Sequence, residues 1–182
     1  MDFRMVKTRS QIKKAFLTLR EKLMPERIKV KDICEVANIN KTTFYHHYTD
    51  SMQLSDEIDN SAIETVISDF SERDKIYEDP KAYIKGFFGA LSRETDNLKL
   101  VFRGKQAVLC AKLEERLHNL YSDKVENIED GVRLSFAIGG FVRVVEEYIF
   151  KRAKENIEHL AEYTLRMIES LLGNKRELKN ST

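Results

Sequence analysis

The chain has 182 residues, of which 42% are hydrophobic and 34% charged, with a formal net charge of +1 at pH 7. This much apolar content excludes a disordered polymer, and two prolines and seven glycines in the whole chain favour helix nearly throughout. There is no apolar signal core at the N-terminus and no run of 18 apolar residues, so we expect a soluble cytoplasmic protein without a membrane partner.

The charge is unevenly distributed along the chain. Residues 1–48 contain 11 Lys or Arg against 5 Asp or Glu, whereas residues 49–182 contain 20 against 25. A basic segment joined to a mildly acidic one is typical of a nucleic-acid-binding head on a body that must not adhere to nucleic acid. We therefore predict two domains, 1–50 and 51–182, and an all-α fold of about nine helices.

A first helix is predicted from about Thr8 to Met24, after a short arm that carries Arg4. Ile12, Phe16 and Leu19 lie on one face of this helix, and Pro25 ends it. Four cations surround its start, where the first helix of a helix-turn-helix crosses the phosphate backbone, although a solvated face is an equally good interpretation. These cations are Lys7, Arg9, Lys13 and Lys14.

Two short helical patterns separated by a polar turn follow, the first of them beginning near Val30. Asn38 is predicted to end it in a left-handed conformation, which Asn tolerates better than most residues. Asn40 is a good N-cap, and the second helix is predicted from Lys41 to Tyr48, with Phe44 facing inward. This is the layout of a DNA-reading helix-turn-helix.

The outer face of this motif supplies the predicted DNA contacts. Threonine offers a hydroxyl and a methyl group to base edges, lysine reaches guanine or phosphate, and tyrosine stacks on sugars or donates to phosphate. Adjacent histidines point about 100° apart on a helix, so we predict no metal site there. The predicted DNA-binding residues are Lys29, Lys31, Asn40, Lys41, Thr42, Thr43, Tyr45, His46 and His47.

The segment DICEVANINKTTFYHHYTDSMQL resembles the DNA-binding domain of TetR-type transcriptional regulators. The usual pattern of that family is roughly D-I-A-x-x-A-G-V-S-x-x-T-[LF]-Y-x-[HY]-F-x-[SN]-K-x-x-L. Asn38 stands at the usual glycine, Asn40 at the usual serine and Ser51 at a lysine that commonly meets a phosphate. The matching residues are Asp32, Ile33, Ala37, Ile39, Thr43, Phe44, Tyr45, His47, Tyr48 and Leu54.

Apolar spacing predicts helices through the rest of the chain. Asp50 is a predicted N-cap, Asp74–Asp79 a charged connection, and Gly139-Gly140 a point where another helix approaches closely. Asp96 is predicted to cap a separate short segment that ends at Gly104. The predicted helical segments are Ser51–Arg73, Pro80–Arg93, Asn97–Arg103, Gln106–Val125, Gly131–Arg152 after Asp130, and Asn156–Leu172.

The resemblance implies further properties of the body. The last two helices, about 130–172, would form a four-helix bundle across a two-fold axis, so that a homodimer binds a pseudo-palindromic operator. A small-molecule effector would enter among the central helices and release the operator, which makes a repressor the leading interpretation. The predicted effector-binding residues are Phe87, Phe88, Phe102, Arg103, Phe136, Phe141, Arg143 and Tyr148.

Other classes of function fit the sequence less well. It contains no Gly-rich phosphate loop, no G-x-S-x-G, no H-E-x-x-H and no paired cysteines, so we expect no enzyme and no cofactor. Cys34 and Cys110 have apolar neighbours and are predicted to be reduced thiols. Two alternatives stay open: a DNA-binding protein of the same fold that acts through a protein partner, and an all-α interaction module that binds no DNA.

Overall fold

The computed structural model describes residues 3–68, 79–151 and 156–172. Within these ranges the chain forms eight α-helices, two short 3-10 turns and no strand, which confirms the predicted all-α class. The 3-10 turns are Pro25–Arg27 and Ser122–Lys124. The helices are α1 (Phe3–Arg20), α2 (Val30–Ala37), α3 (Lys41–Tyr45), α4 (Ser51–Ser68), α5 (Pro80–Phe102), α6 (Gln106–Tyr121), α7 (Ile128–Phe150) and α8 (Ile157–Leu172).

Helix α1 begins and ends earlier than predicted. It begins at Phe3, and the Thr8 hydroxyl donates to the carbonyl of Arg4 at 2.9 Å, so Thr8 lies inside the helix and is not its start. It ends at Arg20, and the buried Pro25 begins the first 3-10 turn. The predicted arm was therefore wrong, because nothing in residues 3–7 breaks a helix.

Helix α5 is continuous where the sequence predicted two segments. Asp96 is exposed in the middle of the helix and not at an N-cap, while Thr95 is buried and donates to the carbonyl of Leu91 at 2.8 Å. The predicted stop at Gly104 is confirmed by its φ of +79°. A Cβ there would also lie 2.8 Å from the sulfur of Met24, so glycine is favoured on both counts.

The later boundaries differ from the prediction by a few residues. Helix α6 ends at Tyr121, and α7 begins at Ile128, where the Asn127 side chain accepts from the Asp130 amide at 2.9 Å. Asp130 is therefore inside the first turn and not its N-cap. The predicted stretch 69–78 of α4 and its connection, Arg152, and the tail from residue 173 lie outside the described residues.

The chain divides into two compact units. The first comprises Met1–Ala62 and Asn97–Gly104, and the second comprises Ile63–Asp96 and Lys105–Thr182. The sequence placed the domain boundary at residue 50, whereas these units divide within α4, after Ala62. Across the described residues, no helix is both long enough and apolar enough to cross a bilayer.

Each unit has its own apolar core. In the first, Phe16, Ile33, Phe44, Leu54 and Phe102 are almost completely buried. In the second, aromatic rings pack edge to face: the ring centroids of Phe87 and Phe141 are 4.8 Å apart, and those of Phe88 and Phe141 are 6.0 Å apart. Edge-to-face aromatic pairs stabilise a core beyond the area they bury. The buried core of each unit thus holds in place the helices that carry the sites described next.

Candidate nucleic-acid interface and effector cavity

The turn between α2 and α3 is set by two asparagines. Asn38 has φ 51° and ψ 50°, the predicted left-handed conformation, and the next amide, Ile39, donates back to the carbonyl of Cys34 at 3.0 Å. The Asn40 side-chain oxygen accepts from the Thr43 amide at 2.7 Å. The chain therefore reverses within Asn38–Asn40, and the side-chain oxygen of Asn40, which is also a predicted DNA-binding residue, forms the predicted helix cap.

Helix α3 separates an anchored face from an outer face. Phe44 and Tyr48 are buried, and their ring centroids lie 5.8 Å apart. Tyr45 is 56% exposed although its ring packs edge-on against Phe44 at 5.6 Å. Helix α3 ends at Tyr45, earlier than predicted, with His46 as its C-cap. The outer residues are therefore held by a rigid inner pair.

The other predicted contact residues differ in their exposure to solvent. Lys41, Thr42 and His46 are exposed, while Thr43 and His47 are half-buried. Lys29 and Lys31 are exposed at the start of α2, where the Lys29 amide donates to the Asp32 carboxylate at 3.3 Å. Their ammonium groups are thus presented to solvent near a helix N-terminus, an arrangement that suits anion binding.

Two of the four cations predicted near the start of α1 are engaged by a carboxylate on α4. The Lys13 ammonium lies 2.7 Å from Glu57 Oε1, and the Arg9 guanidinium donates to both Glu57 oxygens, with Nε at 3.1 Å from Oε1. Arg9 Nε also donates to the Tyr48 hydroxyl at 3.2 Å, and its guanidinium carbon lies 5.4 Å from the Tyr48 ring centroid. This cluster connects α1, α4 and Tyr48, which lies three residues after the end of α3.

The electrostatics of the cluster follow from these bonds. Partial burial raises the pKa of the Glu57 carboxyl, but hydrogen bonds from Arg9 and Lys13 outweigh it, so the pKa is lowered overall. The bonds to Glu57 and Tyr48 raise the pKa of Arg9. Burial raises the pKa of the Tyr48 hydroxyl. At neutral pH the cluster is therefore an ionised carboxylate between two cations.

The start of α4 is capped by Asp50, as predicted. Its carboxylate accepts from the amides of Met52 and Gln53, both at 2.8 Å. The Gln53 side chain in turn accepts from the Thr49 amide at 2.7 Å. Ser51 follows this cap, so the helix begins here without the lysine of the family pattern.

Two arginines of the first unit cap each other's helices. Arg20 is fully buried and donates to the carbonyls of Leu23, Leu100, Val101 and Arg103, while its Nε has no partner. Arg103 in turn donates to the carbonyls of Arg20 and Glu21. Burial, with the nearby Arg103 charge, lowers the pKa of Arg20. Phe102 and Arg103, which were predicted to bind an effector, belong to the first unit, where Phe102 is buried core and Arg103 caps a helix.

The second unit contains a cavity of about 60 Å³. Every side chain around it is uncharged, and the hydroxyls of Tyr83 and Tyr121 lie 2.7 Å apart. Burial raises the pKa of Tyr83, against the opposing effect of the bond to Tyr121. The lining residues are Tyr83, Ile84, Phe87, Leu117, Tyr121, Leu134, Ala137, Ile138, Phe141 and Ile168.

Of the predicted effector residues, only Phe87 and Phe141 line this cavity. Phe88 and Tyr148 pack behind it as buried core, Phe136 is 69% exposed on the surface, and the exposed Arg143 donates to Glu146 and Glu147. The Tyr83–Tyr121 pair was missed, because no local pattern indicates that residues 38 positions apart meet.

In the ranges that the structure describes, no three His, Cys, Asp or Glu side chains are placed to hold one ion. Cys34 and Cys110 are free, and burial raises the pKa of both thiols.

No protein-family model and no curated protein matches the sequence. Solved structures do match. A TetR transcriptional regulator from Streptococcus agalactiae 2603V superposes with a TM-score of 0.67 at 18% identity, over 91% of this chain and 95% of that one. The dihydroxyacetone kinase operon activator DhaS superposes with a TM-score of 0.61 at 17% identity, over 92% of this chain and 97% of that one. The fatty acid degradation regulator FadR from Bacillus halodurans superposes with a TM-score of 0.53 at 16% identity, over 93% of this chain and 96% of that one. The chain has the all-α fold of these regulators along nearly its whole length.

Proposed function

We propose that this chain is a TetR-like transcriptional regulator that binds a pseudo-palindromic operator as a homodimer. The observation that carries the proposal is the outer face of α3, where Lys41, Thr42 and Tyr45 are exposed while Phe44 and Tyr48 are buried. Helix-turn-helix proteins place the N-terminal residues of the second helix against base edges in the major groove. The fold shared with three named regulators supports the same function.

Side-chain chemistry indicates which residues of the proposed interface contact bases and which contact phosphates. Thr42 and Thr43 are short enough for base edges, with a hydroxyl for hydrogen bonds and a methyl group for thymine. Lys29 and Lys31, at the start of α2, are exposed cations suited to phosphate. Sequence would be read by α3, and affinity would come mostly from the lysines.

Homodimerisation is supported by an exposed apolar surface on the last two helices, which pack against each other. Residues spaced by four expose large apolar side chains on each helix, whereas a monomer normally buries such stripes. A Cβ on Gly139 or Gly140 would meet nothing within 4 Å, so the predicted close approach is not made by another described helix of the same chain, and a second copy is the proposed partner. The exposed residues are Ile128, Val132 and Phe136 on α7 and Tyr163, Met167 and Leu171 on α8.

We further propose that the cavity of the second unit binds an uncharged, mainly apolar effector. A buried charge without a partner is costly, and no charged side chain lines the cavity. The Tyr83 and Tyr121 hydroxyls supply one polar point. Drug-sized ligands need roughly 300 Å³ or more, so a cavity of about 60 Å³ must expand to admit one.

An effector that fits only the expanded cavity binds the expanded conformation more tightly than the contracted one. Such a difference in affinity between two conformations is the condition for allosteric release of DNA. A regulator released in this way acts as a repressor. An in vitro transcription assay on a promoter containing the selected operator should show less transcript with protein and recovery with effector.

The DNA-binding proposal is tested by selecting fragments from a random duplex pool with purified protein and sequencing them. We expect a sequence with two-fold symmetry. Thr43→Ala and Tyr45→Ala should abolish specific binding while leaving the melting temperature within about 2 °C, whereas Lys85→Ala, an exposed lysine of the second unit, should bind as wild type. Unchanged operator affinity and salt dependence in both interface variants would exclude the assigned contacts.

The effector proposal is tested with a neutral probe. Decanol should bind more tightly than decanoate of the same chain length, measured by calorimetry, because the cavity offers no counter-charge. Ala137→Phe, which fills the cavity, should abolish decanol binding and retain operator binding. Tighter binding of decanoate would refute the uncharged class.

Two alternatives predict different outcomes. A DNA-binding protein of the same fold that acts through a protein partner would select DNA but bind no small molecule. An all-α interaction module would cause no salt-dependent retardation of duplex DNA in a gel.

A further inference from the structure

The carboxylate of Glu57 lies between two cations of the proposed DNA-facing head. Glu57 lies on α4, 44 residues beyond Lys13 and 48 beyond Arg9, and it accepts from both side chains at once. Its own side chain is 26% exposed, against 51% for Arg9 and 31% for Lys13. All three groups remain accessible to a molecule approaching from solvent.

The other two cations of the cluster predicted on α1 provide an internal comparison. Lys7 and Lys14 are exposed, and within the described ranges neither forms an ion pair. Arg9 and Lys13 lie one helical turn apart and share one face of α1. Two of the four cations are thus engaged internally, on the face of α1 from which Arg9 also donates to the Tyr48 hydroxyl.

We propose that Glu57 competes with DNA phosphate for Arg9 and Lys13 and so weakens DNA binding by this head. The proposal rests on the proposed DNA-binding function and adds a residue that opposes it. A carboxylate and a phosphate oxygen are both anionic acceptors, so each bond that Arg9 or Lys13 makes to Glu57 must be broken or shared when a phosphate approaches. The carboxylate also repels the phosphate directly.

Competition by Glu57 would act on the sequence-independent part of DNA affinity. Sequence-independent affinity comes from phosphates neutralised by cations, and it is the same for every site in a genome. Lowering that term leaves the base contacts of Thr42 and Thr43 with a larger share of the total. Because this term is the same for operator and other DNA, Glu57 lowers both affinities by the same factor and leaves their ratio unchanged.

The magnitude follows from counterion release. One additional phosphate neutralised makes the slope of log K against log salt more negative by about 0.9. With no other contribution, that corresponds to roughly fivefold tighter binding at 0.15 M salt and roughly 15-fold at 0.05 M. The change should be equal for operator and mixed-sequence DNA, because phosphates carry no sequence information.

The test is Glu57→Gln, which keeps the shape of the side chain and removes its charge. Binding to a mixed-sequence 30-base-pair duplex is measured by fluorescence anisotropy between 0.05 and 0.3 M salt. We expect tighter binding by these factors, a steeper salt dependence, and reversal of both when Lys13→Gln is added. Unchanged or weaker binding by a folded Glu57→Gln protein would overturn the proposal and make Glu57 a residue that merely positions Arg9.

Glu64→Gln is the matched control. It makes the same charge change on the same helix and also breaks an ion pair, since Glu64 lies 2.8 Å from Arg116 within the second unit. We expect the salt dependence of DNA binding by Glu64→Gln to equal that of the wild type. If its salt dependence changed as much as that of Glu57→Gln, the effect would come from net charge alone.

A second comparison covers the case in which Glu57→Gln does not fold. Lys13→Gln in the native protein should reduce the salt slope by less than Lys41→Gln does, because Glu57 already engages Lys13. An equal reduction would overturn the proposal. Failure of the wild-type protein to bind any duplex would instead refute the proposed function, so the two failures are distinguishable.

Discussion

Replacing Arg20 with methionine should destabilise the first unit strongly without changing any residue of the proposed DNA interface. Arg20 is fully buried, and its guanidinium donates to the carbonyls of Leu23, Leu100, Val101 and Arg103 at 2.7 to 3.1 Å. Three of those carbonyls belong to the end of α5 and the residue that follows it, which have no further helical turn to supply donors. Methionine fills similar space but donates no hydrogen bond.

The expected cost follows from the acceptors left behind. An unsatisfied buried polar group costs about 1–3 kcal/mol, and relief from burying the guanidinium charge offsets part of the total. Because Arg20 Nε already lacks a partner, the native arrangement itself is not fully satisfied. We estimate a net loss of about 3 kcal/mol, which for a chain of this length corresponds to a fall of about 9 °C in melting temperature.

The assay is urea unfolding followed by circular dichroism, with a thermal melt at the same protein concentration. Lys22→Met is the control, since Lys22 is exposed two residues away and loses the same charge. The control should change the free energy of unfolding by less than about 0.5 kcal/mol. A loss below about 1 kcal/mol in Arg20→Met would refute the inference that these carbonyls depend on Arg20.

Four further outcomes follow from the structure. Asn38→Ala should cost about 1 kcal/mol because alanine is disfavoured at φ 51°, whereas Asn38→Gly should be neutral or stabilising in the same urea assay. The lowered pKa of Glu57 means that its ion pairs add stability above its unfolded pKa near 4.5 and lose it as pH falls below that value, so Glu57→Gln should flatten the acid side of the stability profile. Phe136→Glu should give a sedimentation coefficient of a monomer with an unchanged helical signal, since Phe136 is 69% exposed in the single chain. Gly140→Leu should likewise weaken the dimer but not the fold, because a Cβ at Gly140 would meet no other helix within 4 Å among the described residues; unchanged sedimentation of both variants would exclude this face as the interface.

Features that depend on neighbouring residues were predictable from the sequence. The all-α class, the left-handed Asn38, the caps at Asn40 and Asp50, and the stop at Gly104 each follow from local backbone preferences, and each is present. The burial of Phe44 and Tyr48 follows from their helical spacing. The break expected at Asp96 failed because α5 buries apolar residues on both sides of it, and tertiary burial outweighs a weak capping preference.

The sequence by itself determined which segments are helical and which residues of the helix-turn-helix turn inward, because those properties depend on spacing within a few residues. Only the tertiary structure decided that Glu57 holds Arg9 and Lys13, that Arg103 caps the end of α1, and that Tyr83 meets Tyr121. Each of these contacts joins residues 38 to 83 positions apart. The packing of the helices determines which of these residues meet, and the pattern of neighbouring residues in the sequence does not predict it.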